Sequence, residues 1–498
     1  MGVMRIDGAT GFELILVKQN NDFASLLEIE RIIVRTKGIT AILNFFKKIL
    51  GAASQTQQKK TSRVGKIYSR SEHNISRSQI SENALKVLYR LKKAGFDAYL
   101  VGGCVRDLLL GREPKDFDVA TNASPEQVKR TFRNCRLIGR RFRLAHIYFG
   151  QEIIEVATFR GGEAEEDSGQ QVVHEDGRLL RDNVFGTIEQ DAWRRDFTVN
   201  SLYYNIRDFS VVDYTGGMED HAKAVLKLIG DPVTRYREDP VRMLRAVRFA
   251  VKLGFSIDPE TEKPIYELTE LLRGIPAARL FDETLKLFMS GYGLQTFEML
   301  RHYNLFAVLF PDSDKCLETE DHDFPRVFLV KALQNSDNRV AEGKTVMPYF
   351  LFAAFLWEPL QLEAKRLMDS GENEAFAYQH AASGILNRQV KVTAIPKRVT
   401  QSMREVWLLQ SRFTKRSGVR PYRLLSHPRF RAAYDFLLLR AQAGDVDAEL
   451  ADWWSRFQQV DEAEQKKMTR PAKNSRHKGR SRRSGKFRSK KTKSNTHE

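Results

Sequence analysis

Two aspartates, Asp116 and Asp118, stand one residue apart in Lys115-Asp116-Phe117-Asp118-Val119. On an extended strand, side chains i and i+2 leave on one face, so this spacing aims two carboxylates at one point. Paired hard oxygens suit Mg²⁺, which is commonly held by one or two carboxylates plus substrate phosphates. Upstream, Gly102 and Gly103 remove two Cβ atoms where a backbone could approach a phosphate closely. Arg106, beside Asp107, then offers forked donors for phosphate oxygens. Metal-bearing carboxylates next to a phosphate-sized turn are the parts that nucleotidyl transfer requires. An isolated Asp-x-Asp is more often a solvated pair, so the weight of this reading comes from its surroundings.

The elements that must position these residues form an α/β head. Ser81 is an N-cap for a helix whose apolar side carries Leu85, Leu88 and Leu91, and Gly95 ends it. Residues 98–101 read as a strand, 105–110 as a short helix and 117–120 as the strand bearing the aspartates. Ser124-Pro125 opens another helix. Residues 137–138, 145–149 and 153–159 read as further strands. The expected architecture is a small mixed sheet with helices on one side. Residues 161–181 are polar and acidic and read as a loop. From about Asp231 the period becomes helical and stays so to about Phe457, with the apolar run 349–357 as a buried core helix.

Composition bounds the rest. A chain of 498 residues suggests about three domains. Three widely spaced cysteines argue for a reducing compartment and against a disulfide framework or a zinc site. No apolar run reaches ~18 residues, so no membrane-spanning helix is expected, and the N-terminus lacks the pattern of a secretory signal. The formal charge is +18, but residues 466–493 hold fourteen Lys or Arg and no acid, so 18 − 14 leaves about +4 elsewhere. That tail, with Lys478, Arg480, Arg482 and Arg483, reads as a disordered phosphate-binding segment. Residues 39–50 have helical apolar spacing with lysines nearby. They lie on a membrane surface, dock a partner, or pack on the protein itself.

Further motifs follow in order. Arg140-Arg141-Phe142-Arg143 is a basic stretch with an aromatic, suited to RNA. His146, close by, reads as structural. Then come Arg194-Arg195-Asp196-Phe197-Thr198-Val199-Asn200 and Glu238-Asp239-Pro240-Val241-Arg242, with Arg245 and Arg248 beyond. Asp239 and Arg242, three apart on an expected helix, would share a face. His322-Asp323 has no partner histidines at metal spacing, which argues against an appended phosphohydrolase domain.

These four ordered motifs resemble the class II nucleotidyltransferases, the polymerase-β-like family of CCA-adding enzymes and bacterial poly(A) polymerases. From about Ile75 to Phe457 the stretches around Asp116, His146, Asp239 and His427 resemble the poly(A) polymerase branch most closely. The resemblance implies a head at 67–230, a neck at 231–290, a helical body at 291–457 and a basic tail at 458–498, behind a leader at 1–66. It implies template-independent addition of AMP from ATP to RNA 3′ ends with Mg²⁺, or Mn²⁺ in its place, linked to RNA decay. Asp116 and Asp118 would hold the metal. Asp196 would be the third catalytic acid, with Glu155 as the competing candidate. Gly102, Gly103, Arg106, Asp107, Arg195, Asn200, Asp239, Arg242, Arg245 and Arg248 would bind the nucleotide, with Asp239 and Arg242 reading the base. Arg140, Arg141, Arg143 and the tail would hold RNA. Expected partners are RNA ends, ATP and RNA-decay proteins, with no stable DNA binding. The expected location is the cytoplasm, with a peripheral contact at the inner membrane face through 38–50. CCA addition to tRNA is the alternative activity, and non-catalytic RNA binding the third reading. Cys104 departs from a position where glycine is common, and suggests thiol sensitivity at the site.

Overall fold

A computed structural model of the chain describes residues 65–139, 143–161, 185–318 and 324–470. It also describes the short strands Val3–Met4, Leu16–Val17, Val172–Val173 and Leu179–Arg181. The basic tail beyond residue 470, the amphipathic stretch at 39–50, Arg140, Arg141 and His322-Asp323 lie outside the described residues. Within the first 63 residues, Val3–Met4 pairs antiparallel with Leu16–Val17. Inside the expected acidic loop, Leu179–Arg181 pairs antiparallel with Val172–Val173.

The head is built on an eight-stranded sheet. Its order is Lys66–Tyr68, Val211–Asp213, Leu202–Asn205, Ala98–Val101, Asp118–Thr121, Glu152–Thr158, Leu144–Phe149 and Cys135–Ile138. Every pairing is antiparallel except that of Asp118–Thr121 with Glu152–Thr158. The strands at Lys66–Tyr68, Leu202–Asn205 and Val211–Asp213 enlarge the sheet beyond the sequence reading. Helices flank both faces, not one. Glu82–Lys93, Gly103–Leu109 and Pro125–Thr131 share a core with Leu100, Val119 and Val156. Ala192, on the helix Ile188–Arg194, packs with Val101, Ala120 and Tyr203 on the other face. Local caps explain the helix starts. Ser81 accepts from the amides of Asn83 and Ala84, and Ser124 forms a capping box with Gln127.

Beyond Asp231, whose carboxylate caps the helix Pro232–Glu238, the elements among the described residues are helices apart from the strand Ser256–Ile257, which pairs with Val225–Leu226. A large apolar core runs from Phe197 and Val199 of the head through the helix Val241–Leu253 into the body, so head and neck share packing. The run expected as a buried helix is Pro348–Phe355, five of whose residues are buried. A separate core forms around Phe413, Trp454 and Phe457. It continues past the expected start of the tail: Asp461 caps a helix Glu462–Met468, with acids in its first turn and lysines in its last. Among the described residues no helix is long and apolar enough to cross a membrane.

Candidate active site

Asp118 begins its strand, and Asp116 lies just before it. The alternation nevertheless holds. Phe117 and Val119 enter the head core, while Asp116 and Asp118 leave toward the opposite face. Register then builds a row across the sheet. Asp118 faces Glu155, Glu155 faces His146, and His146 faces Arg136. His146 Nε2 lies 3.2 Å from the Glu155 carboxylate. Burial and then Glu155 push the Asp118 carboxyl up to about 6; Arg195 and His146 pull the other way, and Asp116 adds to the rise. Negative charge is therefore crowded and incompletely neutralised here, which is the condition a hard divalent cation relieves. Among the described residues no group of three His, Cys, Asp or Glu side chains is drawn together as a closed ligand set. Two carboxylates completed by phosphate oxygens fit that arrangement.

Gly102 holds the turn between the strand Ala98–Val101 and the helix Gly103–Leu109. Its φ of +78° is a conformation that side-chain-bearing residues rarely adopt. The Arg195 guanidinium lies 3.5 Å from where a Cβ on Gly102 would sit. Arg195 is fixed from below, with Nε donating to the Tyr203 hydroxyl at 3.0 Å and Nη2 to Asp191 at 3.1 Å. The Tyr203 hydroxyl donates to the same Asp191 oxygen at 2.7 Å.

Arg106 is 3 % exposed, so the Arg106-Asp107 pair is an interior feature rather than a surface one. It begins a continuous chain. Arg106 Nη1 donates to Asn200 Oδ1 at 2.6 Å, and Asn200 Nδ2 donates to Asp196 Oδ1 at 3.2 Å. The other Asp196 oxygen accepts from Arg245 Nε at 2.8 Å. Burial pushes the Asp196 carboxyl up, but the Arg245 charge and the Asn200 and Phe197 donors win and hold it below its ordinary range. Both oxygens of Asp196 are thus taken. The carboxylate that register sets beside Asp118 is Glu155, the competing candidate of the sequence reading. The guanidinium carbons of Arg106, Arg245 and Arg248 lie 5.3, 5.3 and 4.6 Å from the Phe249 ring centre, so one aromatic collects three cations.

Asp239 and Arg242 do not share a helix. Pro240 disfavours the helical conformation at the residue before it, and Asp239 sits extended at the junction between Pro232–Glu238 and Val241–Leu253. Arg279 donates to Asp239 Oδ2 at 2.7 Å, whereas Arg242 donates to Glu238 at 2.9 Å and to the Arg235 carbonyl at 2.6 Å. Sequence reasoning passed over Asp191, Tyr203, Phe249, Arg235 and Arg279. Only the aromatic at 249, next to Arg248, left a trace in a linear reading. Arg143, expected at RNA, is bonded to Glu126.

Cys104 is 2 % exposed, its Sγ is 3.3 Å from the Val101 carbonyl, and burial pushes its thiol up to about 12. The expected thiol sensitivity is therefore overturned, because the reactive thiolate is suppressed. Iodoacetamide on the native protein is expected to leave Cys104 unmodified, with alkylation appearing only in denaturant. Mass spectrometry of the peptide decides; rapid native alkylation would contradict this burial.

Three family models match: "Poly A polymerase head domain" at residues 98–227, "Probable RNA and SrmB- binding site of polymerase A" at 254–317, and "Polymerase A arginine-rich C-terminus" at 370–490. The chain is 52% identical to Poly(A) polymerase I of Salmonella typhi over 86% of its length and 94% of that protein's. It is 50% identical to Poly(A) polymerase I of Haemophilus influenzae, covering 78% and 86% of the two chains. A CCA-adding enzyme of Lactobacillus delbrueckii is 37% identical over only 45% of this chain and 54% of its own. Among solved structures, the Thermotoga maritima CCA-adding enzyme complexed with tRNA shares the fold at 19% identity and a TM-score of 0.53, covering 79% of this chain and 88% of that one. Set beside the carboxylate row and the glycine turn, these likenesses identify the chain as a member of the poly(A) polymerase family of nucleotidyltransferases.

Proposed function

We propose that this protein is a template-independent poly(A) polymerase, transferring AMP from ATP to RNA 3′ ends with release of pyrophosphate. The observation that carries the reading is half-identity over nearly the whole length of relatives named Poly(A) polymerase I. The site geometry supplies parts for each task. The Gly102 turn and the Arg106 and Arg195 guanidiniums would cradle the triphosphate. Asp116 and Asp118 would hold Mg²⁺ or Mn²⁺, with Glu155 setting the local charge. A divalent ion bound there would polarise phosphate oxygens and favour deprotonation of the RNA 3′-hydroxyl. Asp196 acts as an anchor: it fixes Arg245 and, through Asn200, Arg106. Asp239 and Arg242, each held by a separate partner, would present an acceptor and a donor to the adenine edge. Residues 254–317 would contact RNA and a decay-associated protein, in the cytoplasm.

Primer extension tests this reading. Supplied with each nucleotide separately, the enzyme is expected to build long ladders with ATP alone, on unstructured RNA and on tRNA lacking its CCA end. Addition that stops after C, C and A on the tRNA would replace this reading with CCA addition.

A further inference from the structure

The head carries a second, unassigned surface. A groove of about 1030 Å³ lies along the helix Glu82–Lys93, on the sheet face opposite the catalytic carboxylates. Lys86, Arg90 and Lys93 sit at i, i+4 and i+7, one stripe of about 10 Å on a helix, and Arg77 joins them from the preceding turn. The single acid lining it, Glu82, is 3.6 Å from Lys86. Among the described residues, Arg77, Arg90 and Lys93 have no carboxylate at ion-pair distance. All three are exposed.

The contrast with the active site is informative. There, Arg106, Arg195, Arg242, Arg245 and Arg279 are each bonded to a carboxylate. In the groove the guanidiniums lie by aromatic rings, as several do in the active site, but without a carboxylate: Arg77 is 5.4 Å from the Tyr89 centroid and Arg90 is 5.1 Å from that of Phe132. Stacking fixes the plane of a guanidinium while leaving its N–H donors open to an anion. Tyr89 and Phe149, both half-buried, add ring surface to the same wall.

We propose that this groove binds single-stranded RNA upstream of the 3′ end under extension. A track of unpaired cations with interleaved aromatics suits a phosphate backbone whose bases stack. An acidic peptide would use the charge but not the rings. Neither family segment associated with RNA or with an arginine-rich terminus includes these residues. The inference rests on RNA being the substrate, and it predicts that RNA must be long enough to reach around the head before the groove contributes.

The test uses the full chain carrying Arg77→Gln, Arg90→Gln and Lys93→Gln, with a 6-nucleotide and a 30-nucleotide RNA. Loss of three phosphate contacts should weaken 30-mer binding about 10- to 50-fold near physiological salt and shallow the log K against log salt slope by about 2. Extension of the 6-mer should be unchanged. A charge-preserving Arg77→Lys, Arg90→Lys, Lys93→Arg variant should restore most of the 30-mer affinity. Unaltered 30-mer affinity and salt slope would overturn the proposal and turn attention to an acidic protein partner. Equal weakening of both RNAs would overturn it too, since the effect would then not be distal. Failure of the unsubstituted enzyme to extend the 6-mer with ATP would instead remove the parent reading.

Discussion

An Asp118→Asn variant is expected to lose nucleotide addition by about 10³-fold or more while becoming more stable at neutral pH. On the proposed reading, the activity loss follows from removing one of the two carboxylates that would hold the ion where charge develops. A bound ion supplies several kcal/mol of transition-state stabilisation, and about 1.36 kcal/mol is tenfold in rate. The stability gain has the opposite origin. Burial, then Glu155, raises the Asp118 carboxyl from 3.8 to about 6 in the folded protein. The folded state therefore binds its proton more tightly than the unfolded state does. Stability contributed by this group is full below pH 3.8 and declines as pH rises toward 6. Above that, the whole penalty of about 3 kcal/mol is present. Asparagine keeps the shape and removes the charge, so its benefit is absent below pH 3.8 and complete above 6. Thermal unfolding at pH 8 and pH 3.5, with and without Mg²⁺, measures both halves. Mg²⁺ should raise the first transition of the unsubstituted protein but not that of the variant. Wild-type activity in the variant, or a pH-independent difference in stability, would refute the assignment.

Asp196→Ala should do the reverse: destabilise the fold by about 2–3 kcal/mol, less than the loss of one partner of a fully buried ion pair because the Arg245 side chain keeps some solvent. It strands Arg245 and leaves Asn200, and through it Arg106, without an anchor. The folded-state carboxyl of Asp196 is depressed, so its stabilisation is present above pH 3.8 and is lost as pH falls through the lowered folded value. The two aspartates thus tilt stability in opposite directions with pH. Denaturant unfolding of Asp196→Ala and of Asp196→Ala with Arg245→Met measures the pair. The double variant should recover part of the loss, because it no longer buries a lone cation. A single variant within about 1 kcal/mol of the parent would show that Asp196 does not anchor the neck.

Much of this was legible in the linear sequence because it rests on local rules. The i and i+2 spacing of Asp116 and Asp118 and the Ser81 and Ser124 caps depend on neighbouring residues alone. The strands Leu202–Asn205 and Val211–Asp213 escaped. Both are short, and their apolar runs acquire meaning only when inserted beside Ala98–Val101 and Lys66–Tyr68. That Glu155 stands beside Asp118 could be seen only from register, which turns on which strand lies next to Asp118–Thr121. The helix expected across Asp239 and Arg242 failed through under-weighting Pro240. The helix Glu462–Met468 was hidden by counting charge where its caps were visible.

The chain of hydrogen bonds from Arg106 through Asn200 and Asp196 ends on Arg245, on a helix that is synthesised after the whole head sheet. A nascent or truncated polypeptide ending before Arg245 would carry every head carboxylate yet leave Asp196 buried without its cation. Such a fragment would lack the pair that closes the chain, and is expected to be less stable than the whole protein. The chain of bonds that fixes Arg106 is thereby closed only once the neck has been synthesised.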